Sequence, residues 1–287
     1  MTKTHLDVNS TMKVVTAQKE DFPSIGFSFA YLKVINEMQE KGKRVTFFQG
    51  DLDCTDMMQQ AIKAYRVLVE MKDRQPPKKV NGLWVPHTDF YVTSPDLLNI
   101  IVLHEAFKYV TCWDWAIDAG AHIGLFSMYM ATKFKTVTAF EPTTQNIECF
   151  EKNTWNLENV ELHQSALGSE QSTASMEFDE SRVGNSGTPY LRVNPKGDVF
   201  IVPLDNTTFN HTDRTLGLLK IDVEGYEYEV LLGGKYTIKT FKPVIIIECK
   251  ESTATRYGHD VEDCPKLLNS WGYREVERHG ADRIYTI

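Results

Sequence analysis

The stretch Ala116-Ile-Asp-Ala-Gly-Ala-His-Ile-Gly124 constrains this chain more than any other. An apolar strand runs directly into a glycine turn, and the residues after it, 125–133, carry helical apolar spacing. Gly120 lets the backbone turn sharply and approach a ligand closely. Gly124 lets the helix pack tightly and present its N-terminal N–H groups. Asp118 sits at the strand's end, where a carboxylate can accept from an ammonium group. A strand–helix turn without a ligand would look similar, so the turn alone decides little. Glu141 adds the discriminating spacing. It ends the next strand, 137–141, about 20 residues after the glycine, where a carboxylate meets a ribose diol in doubly wound sheets.

The rest of the main domain fits the same architecture. Candidate strands at 115–119, 137–141, 160–166, 218–223 and 244–249 alternate with helical patterns, which predicts a parallel, doubly wound sheet. Residues 273–276 and 283–287 flank a turn containing Gly280 and read as a closing antiparallel pair. Ser165-Ala-Leu-Gly168 ends the third strand, so Ser165 and Ala166 fall on the adenine side of such a site. Between 169 and 208 the pattern turns β-rich, with 175–178 and 199–202 flanking Val183-Gly-Asn-Ser-Gly187. This predicts an insertion before the fourth strand, whose segment 182–188, rich in mobile and hydrogen-bonding residues, is expected to close over the site and help exclude water. Upstream, 80–91 reads as a hairpin or extended stretch, and Ser94-Pro95 as the start of a helix over 95–108. Residues 27–41 and about 55–72 have helical spacing, with a short β-like stretch at 45–48 and a polar tail at 1–25. Arg74-Gln-Pro-Pro-Lys78 separates an N-terminal accessory segment, 1–75, from the main domain, 76–287. The accessory segment is expected to select the acceptor or a partner subunit.

The fourth strand and the turn after it, Leu218-Leu-Lys-Ile-Asp-Val-Glu-Gly-Tyr226, are anomalous. A central parallel strand is covered on both faces and should be apolar throughout. Strand alternation instead puts Lys220, Asp222 and Glu224 on one side. Glu248 arrives near the end of the fifth strand. Buried charges are costly unless paired or facing a site. A self-satisfied ion pair is one reading, and a cleft floor holding cofactor and acceptor is the other.

Taken together, Asp118-Ala-Gly-Ala-His-Ile-Gly124, Phe140-Glu-Pro142, Ala166-Leu-Gly168, Lys220-Ile-Asp-Val-Glu-Gly-Tyr-Glu227 and Pro243-Val-Ile-Ile-Ile-Glu248 resemble the FkbM family of class I methyltransferases. His122 stands where that family usually carries Asn. The resemblance covers roughly residues 115–250. It implies a seven-stranded, mostly parallel, Rossmann-like sheet with a C-terminal antiparallel hairpin. It also implies S-adenosylmethionine as methyl donor and O-methylation of a hydroxyl on a sugar, glycan or natural product. Asp118, Gly120, His122, Gly124, Glu141, Ser165 and Ala166 are then the cofactor-side residues, and Asp222, Glu224 and Glu248 the catalytic candidates. Asp222 is the preferred base, because strand geometry aims it at the cleft. Glu224 serves the acceptor or the donor's amino group instead, and His122 reads as a backbone-positioning residue. Asp222 and Glu248 are too few to assert a metal ion.

Composition narrows the partners. The 287-residue chain is 42% hydrophobic and 24% charged, an ordinary globular balance. Its net charge of -8, without a Lys/Arg run, argues against duplex nucleic acid or a membrane surface. Five scattered cysteines with no C-x-x-C pair argue against a disulfide framework and a zinc site, and for a reducing, cytoplasmic setting. No apolar run is long enough to span a bilayer. Two rival functions remain, an NAD-dependent oxidoreductase and a non-catalytic cofactor-binding protein. The first would need Tyr129-Met-Ala-Thr-Lys133 as its catalytic pair.

Overall fold

The computed structural model describes residues 75–89, 100–178, 185–208 and 213–287. They belong to a unit running Pro76–Ile287. The segments read as helical at 27–41 and 55–72, the stretch at 45–48 and the helix start at Ser94 lie outside the described residues.

A short hairpin opens the unit, β1 (Lys78–Val80) and β2 (Leu83–Val85), turning on Asn81 and Gly82, both at positive φ. Helix α1 (Ile100–Ala106) follows. Strand and helix then alternate through β3 (Trp115–Ala119), α2 (Leu125–Ala131), β4 (Thr136–Phe140), α3 (Thr144–Thr154) and β5 (Val160–His163). The β-rich insertion comprises β6 (Ala166–Leu167), β7 (Ser172–Glu177), β8 (Tyr190–Val193) and β9 (Val199–Val202), and leads into α4 (Leu204–Thr208). The chain returns through β10 (Leu216–Ile221), α5 (Glu227–Gly233), α6 (Lys235–Phe241), β11 (Val244–Glu248), α7 (Glu251–Ala254) and α8 (Asp263–Ser270). It closes with the hairpin β12 (Arg274–His279) and β13 (Asp282–Thr286).

The main sheet has seven strands in the order β12-β13-β11-β10-β3-β4-β5. Five are parallel; β13 runs antiparallel to β11, and β12 antiparallel to β13. This is the class I methyltransferase architecture. Every residue of β3, β10 and β11 is buried, as central strands covered on both faces must be. One face packs Ile117, Leu219, Ile221 and Ile247 against Val230, Leu231, Ile238 and Leu268. The other packs Ala116, Leu218 and Ile246 against Val102, Leu103 and Met130. Full burial of each such aliphatic side chain contributes roughly 1.5–3 kcal/mol. The buried Trp115 indole N–H donates to Thr138 Oγ1 at 2.9 Å, so its one polar atom is satisfied.

From β3 the chain moves outward to β4 and β5, then returns to add β10 and β11 on the opposite side of β3. The reversal makes the carboxyl ends of β3 and β10 a topological switch point, where such sheets open a crevice.

Two strand ends fall short of expectation by two residues or more. The third strand stops at His163 rather than 166. Ala166 and Leu167 leave the main sheet and pair in parallel with Ile201 and Val202, in a four-stranded sheet ordered β6-β9-β7-β8. The fourth strand stops at Ile221 rather than 223, because Glu224 and Gly225 take positive φ and turn the chain away.

Candidate functional site

A cavity of about 570 Å³ opens at the switch point. Its wall takes residues from the ends of β3, β4, β10 and β11, from the inserted sheet, and from the turn and β2 of the first hairpin. Three of the four described non-glycine residues with positive φ, Asn81, His122 and Glu224, line it. Such backbone costs of order 1–3 kcal/mol per residue and gathers where the surrounding structure holds a functional geometry.

The glycine turn is built by close approach. Gly120 has φ +78, and a Cβ there would lie 1.8 Å from the Asp222 carbonyl oxygen. The turn from β3 is thus pressed onto the end of β10, which only glycine permits. Gly124 has φ +91, and a Cβ there would lie 2.9 Å from the Phe150 ring. It serves packing of α2 against α3 and does not line the cavity.

Glu141 is buried and acts as the node of a polar network. Its Oε2 accepts from the His122 N–H at 2.9 Å, and its Oε1 accepts from Thr143 N–H at 2.9 Å and Asn146 Nδ2 at 3.2 Å. Asn146 also donates to the Ser186 carbonyl at 3.1 Å, and its Oδ1 is buried with no hydrogen-bond partner. His122 Nε2 lies 2.6 Å from Ser186 Oγ, and the Ser186 hydroxyl and N–H both donate to the buried Asp89. Burial lowers the His122 pKa, so the imidazole is neutral near pH 7. Ser186 therefore ties the insertion to the glycine turn, to α3 and to the segment after β2. Residues 185–188 should exchange amide hydrogens more slowly when S-adenosylhomocysteine is added; identical protection with and without it would show that the insertion takes no part in binding.

The charged end of β10 is divided between structure and cavity. Lys220 is buried, donates to the Gly120 carbonyl at 2.9 Å, and sits 3.2 Å from Asp118 Oδ1 and 3.7 Å from Asp222 Oδ2. Burial alone would lower its pKa, but the Asp118 and Asp222 carboxylates outweigh it and the net shift is upward. Asp118 is wholly buried, also accepts from Ser127 Oγ at 2.7 Å, and is absent from the cavity wall. The ammonium beside it in the structure is that of Lys220, in an ion pair, and Asp118 stands behind the cavity wall rather than on it. Asp222 lines the cavity with its side chain about a third exposed. Glu224 lines the cavity too, but strand alternation does not put it there: the left-handed turn does, with Arg256 Nη1 donating to its carbonyl at 2.9 Å.

Glu248 Oε1 pairs with Lys250 at 2.5 Å, while Oε2 is buried without a hydrogen-bond partner. Burial and the Asp222 charge push its pKa up to about 9. Glu227, at the start of α5, accepts from the N–H groups of Val223 and Gly225 at 3.0 and 3.1 Å, and burial pushes it up to about 7 despite them.

Residues 118–275, more than half of the chain, match the family model described as the methyltransferase FkbM domain. The chain belongs to the FkbM methyltransferase family. This methyltransferase is 27% identical over 175 residues to Methyltransferase 1 of Beauveria bassiana (strain ARSEF 2860), a match spanning 50% of this chain and 70% of that protein. It is 27% identical over 173 residues to the hexuronic acid methyltransferase AglP of Haloferax volcanii, spanning 59% of this chain and 65% of that one. Among solved structures, the methyltransferase FkbM of Methylobacillus flagellatus KT aligns with 89% of this chain and 70% of its own, at 17% identity and a TM-score of 0.41.

Eight of the ten residues singled out in the sequence line the methyltransferase cavity: Gly120, His122, Glu141, Ser165, Ala166, Asp222, Glu224 and Glu248. Asp118 and Gly124 stand behind the wall. Sequence reading passed over Asn146 as part of the wall and Asp89 behind it, whereas Ser186 falls in the segment 182–188 expected to close over the site. Asn146 sits five residues after Glu141 in the helix that follows it, and Asp89 and Ser186 meet only through tertiary packing. The Tyr129–Lys133 pair required by an oxidoreductase lies away from the cavity, with Tyr129 stacked on Phe107 at 6.0 Å between ring centroids. No helix among the described residues is long and apolar enough to cross a membrane.

Proposed function

We propose that this FkbM-family protein uses S-adenosylmethionine to methylate a hydroxyl of a sugar, glycan or similar polyhydroxyl acceptor. The observation that carries the reading is one cavity lined by the Gly120 turn and Glu141 together with Asp222, Glu224 and Glu248. The residues suit the cofactor. Gly120 lines the cavity without a side chain, so a ligand can lie against bare backbone there. The buried Asn146 Oδ1 and the Glu141 carboxylate offer acceptors to a ribose diol. Ser165 and Ala166, at the entry to β6, lie on the adenine side. Acidic side chains around the far end suit a cationic donor.

When bound, S-adenosylmethionine supplies an electrophilic methyl group. The chain's part is to hold an acceptor oxygen in line with it, exclude water and take the hydroxyl proton. Asp222 is the residue assigned to that proton, since it lines the cavity with a side chain about a third exposed, while Lys250 holds one oxygen of Glu248. The name of the AglP relative supports a sugar acceptor, and the acidic wall favours a polyhydroxyl surface over a polyanion. A thermal-shift panel with S-adenosylmethionine, S-adenosylhomocysteine and NAD tests the reading. Stabilisation by the first two and not the third is expected; stabilisation by NAD alone would overturn it.

Glu141→Ala should weaken S-adenosylhomocysteine binding, because a buried diol loses a charge-assisted partner worth roughly 1.5–3 kcal/mol. Calorimetry on the folded variant measures this, and unchanged affinity would place the ribose elsewhere.

A further inference from the structure

Asp222 and Glu248 are joined in space by a third carboxylate. Glu227 is brought in by the left-handed turn at Glu224-Gly225, which sets the first residue of α5 beside the ends of β10 and β11. One carboxylate oxygen from each of Asp222, Glu227 and Glu248 lies within 4.8 Å of the other two. Oxygens sharing one divalent ion at about 2.1–2.5 Å are separated by up to about 4–5 Å, so one ion can reach all three. A second, independent feature points to a ligand. The Glu248 side chain is nine-tenths buried, and its Oε2 has no hydrogen-bond partner, although Oε1 is held by Lys250. A buried carboxylate oxygen left without a donor is costly and calls for an occupant.

The neighbouring lysines do not remove the need. Lys220 is shared with Asp118, 3.2 Å away, and is farther from Asp222 at 3.7 Å. Lys250 satisfies a single oxygen of Glu248. Carboxylates are hard oxygen donors, with no imidazole or thiolate among the three, so the ion suited to them is of the Mg²⁺, Mn²⁺ or Ca²⁺ kind rather than Zn²⁺ or Cu²⁺.

We propose that Asp222, Glu227 and Glu248 form a site for one divalent oxygen-seeking cation at the acceptor end of the cavity. Asp222 and Glu248 are on the cavity wall and Glu227 is behind it, so the ion is anchored from behind and open towards the acceptor. There it would bind and orient acceptor hydroxyl oxygens. That role rests on the methyl-transfer reading; binding of the ion does not.

The test is a Mn²⁺ titration of the full-length protein followed by electron paramagnetic resonance, with calorimetric S-adenosylhomocysteine binding on the same samples. The wild type should hold one Mn²⁺ per chain at this site. Glu248→Gln and Asp222→Asn should each weaken it by about tenfold or more while still binding S-adenosylhomocysteine, which shows that they fold. Lys250→Met should tighten it several-fold, because a competing cation leaves Glu248; a merely structural carboxylate cluster would not respond in that direction. The other described group with this capacity, Glu105, Glu277 and His279, lies outside the cavity and is probed by Glu277→Gln. Mn²⁺ binding abolished by Glu277→Gln and untouched by Glu248→Gln overturns the proposal, as does no Mn²⁺ binding, or weaker binding in Lys250→Met. Binding of S-adenosylhomocysteine without Mn²⁺ overturns the cation site alone. Binding of Mn²⁺ without S-adenosylhomocysteine overturns the cofactor reading and leaves the cation site standing.

Discussion

Asp222→Asn is expected to lower single-turnover methyl transfer by about 10²-fold or more while the protein stays folded and keeps most of its affinity for S-adenosylhomocysteine. Asn is nearly isosteric with Asp, so the turn around Gly120, which rests against the Asp222 backbone carbonyl, is undisturbed. The stability cost should be small for a reason visible in the ion-pair distances. Lys220 keeps Asp118 at 3.2 Å and the Gly120 carbonyl at 2.9 Å, whereas Asp222 contributes from 3.7 Å with a side chain about a third exposed to solvent. Chemistry, by contrast, loses the one cavity-lining carboxylate of β10's end that is assigned the acceptor's proton. Melting temperature and single-turnover transfer on the same variant separate the two roles. A markedly destabilised variant with near-normal transfer per folded molecule would move Asp222 from chemistry to structure.

The reverse result is expected at Asp118. Removing the carboxylate in Asp118→Ala leaves a fully buried Lys220 with its main counter-charge gone. Breaking a buried pair from one side costs about 3–5 kcal/mol. For a domain of this size that corresponds to a fall in Tm on the order of 10 °C. The Ser127 hydroxyl also loses its acceptor, 2.7 Å away, inside the packed core. Thermal denaturation measures the effect, and the folded remainder should bind S-adenosylhomocysteine with an affinity changed far less than its stability. An unchanged Tm with weakened cofactor binding would return Asp118 to the ligand side of the wall. The two acidic residues share one lysine across adjacent strands and are expected to respond oppositely: Asp118 through stability, Asp222 through rate.

The architecture of the main sheet was legible from local signals. The candidate strands at 115–119 and 244–249 are buried parallel strands, the second ending at Glu248. The glycine turn and Glu141 depend on spacing within one strand–helix–strand unit, which is short-range information. Glu224 shows where such reasoning stops. Alternation put it on the face of Lys220 and Asp222, yet β10 ends at Ile221, and Glu224 reaches the cavity through a backbone conformation that no alternation rule describes. Ser165-Ala-Leu-Gly168 likewise reads as the end of one strand, but Ala166 and Leu167 pair with β9, about 35 residues on.

By itself, the sequence determined the alternating fold, the glycine turn that lines the cavity, and the carboxylates near the sheet's carboxyl edge, because each is written in a period or spacing of a few tens of residues. Tertiary structure alone decided which of those charges face a ligand. Asp118 and Asp222 are both acidic residues at strand ends, and only the placement of Lys220 between them buries one and leaves the other on the cavity wall. It also decided that Ser186, Asn146 and Asp89 join Glu141 and His122 in one network, and that Glu227 completes a carboxylate triad. The contacts of Ser186 with His122 and Asp89 depend on packing between elements far apart in the chain, and those of Asn146 and Glu227 on turns that no period describes, so side-chain burial and hydrogen-bond satisfaction select the neighbours.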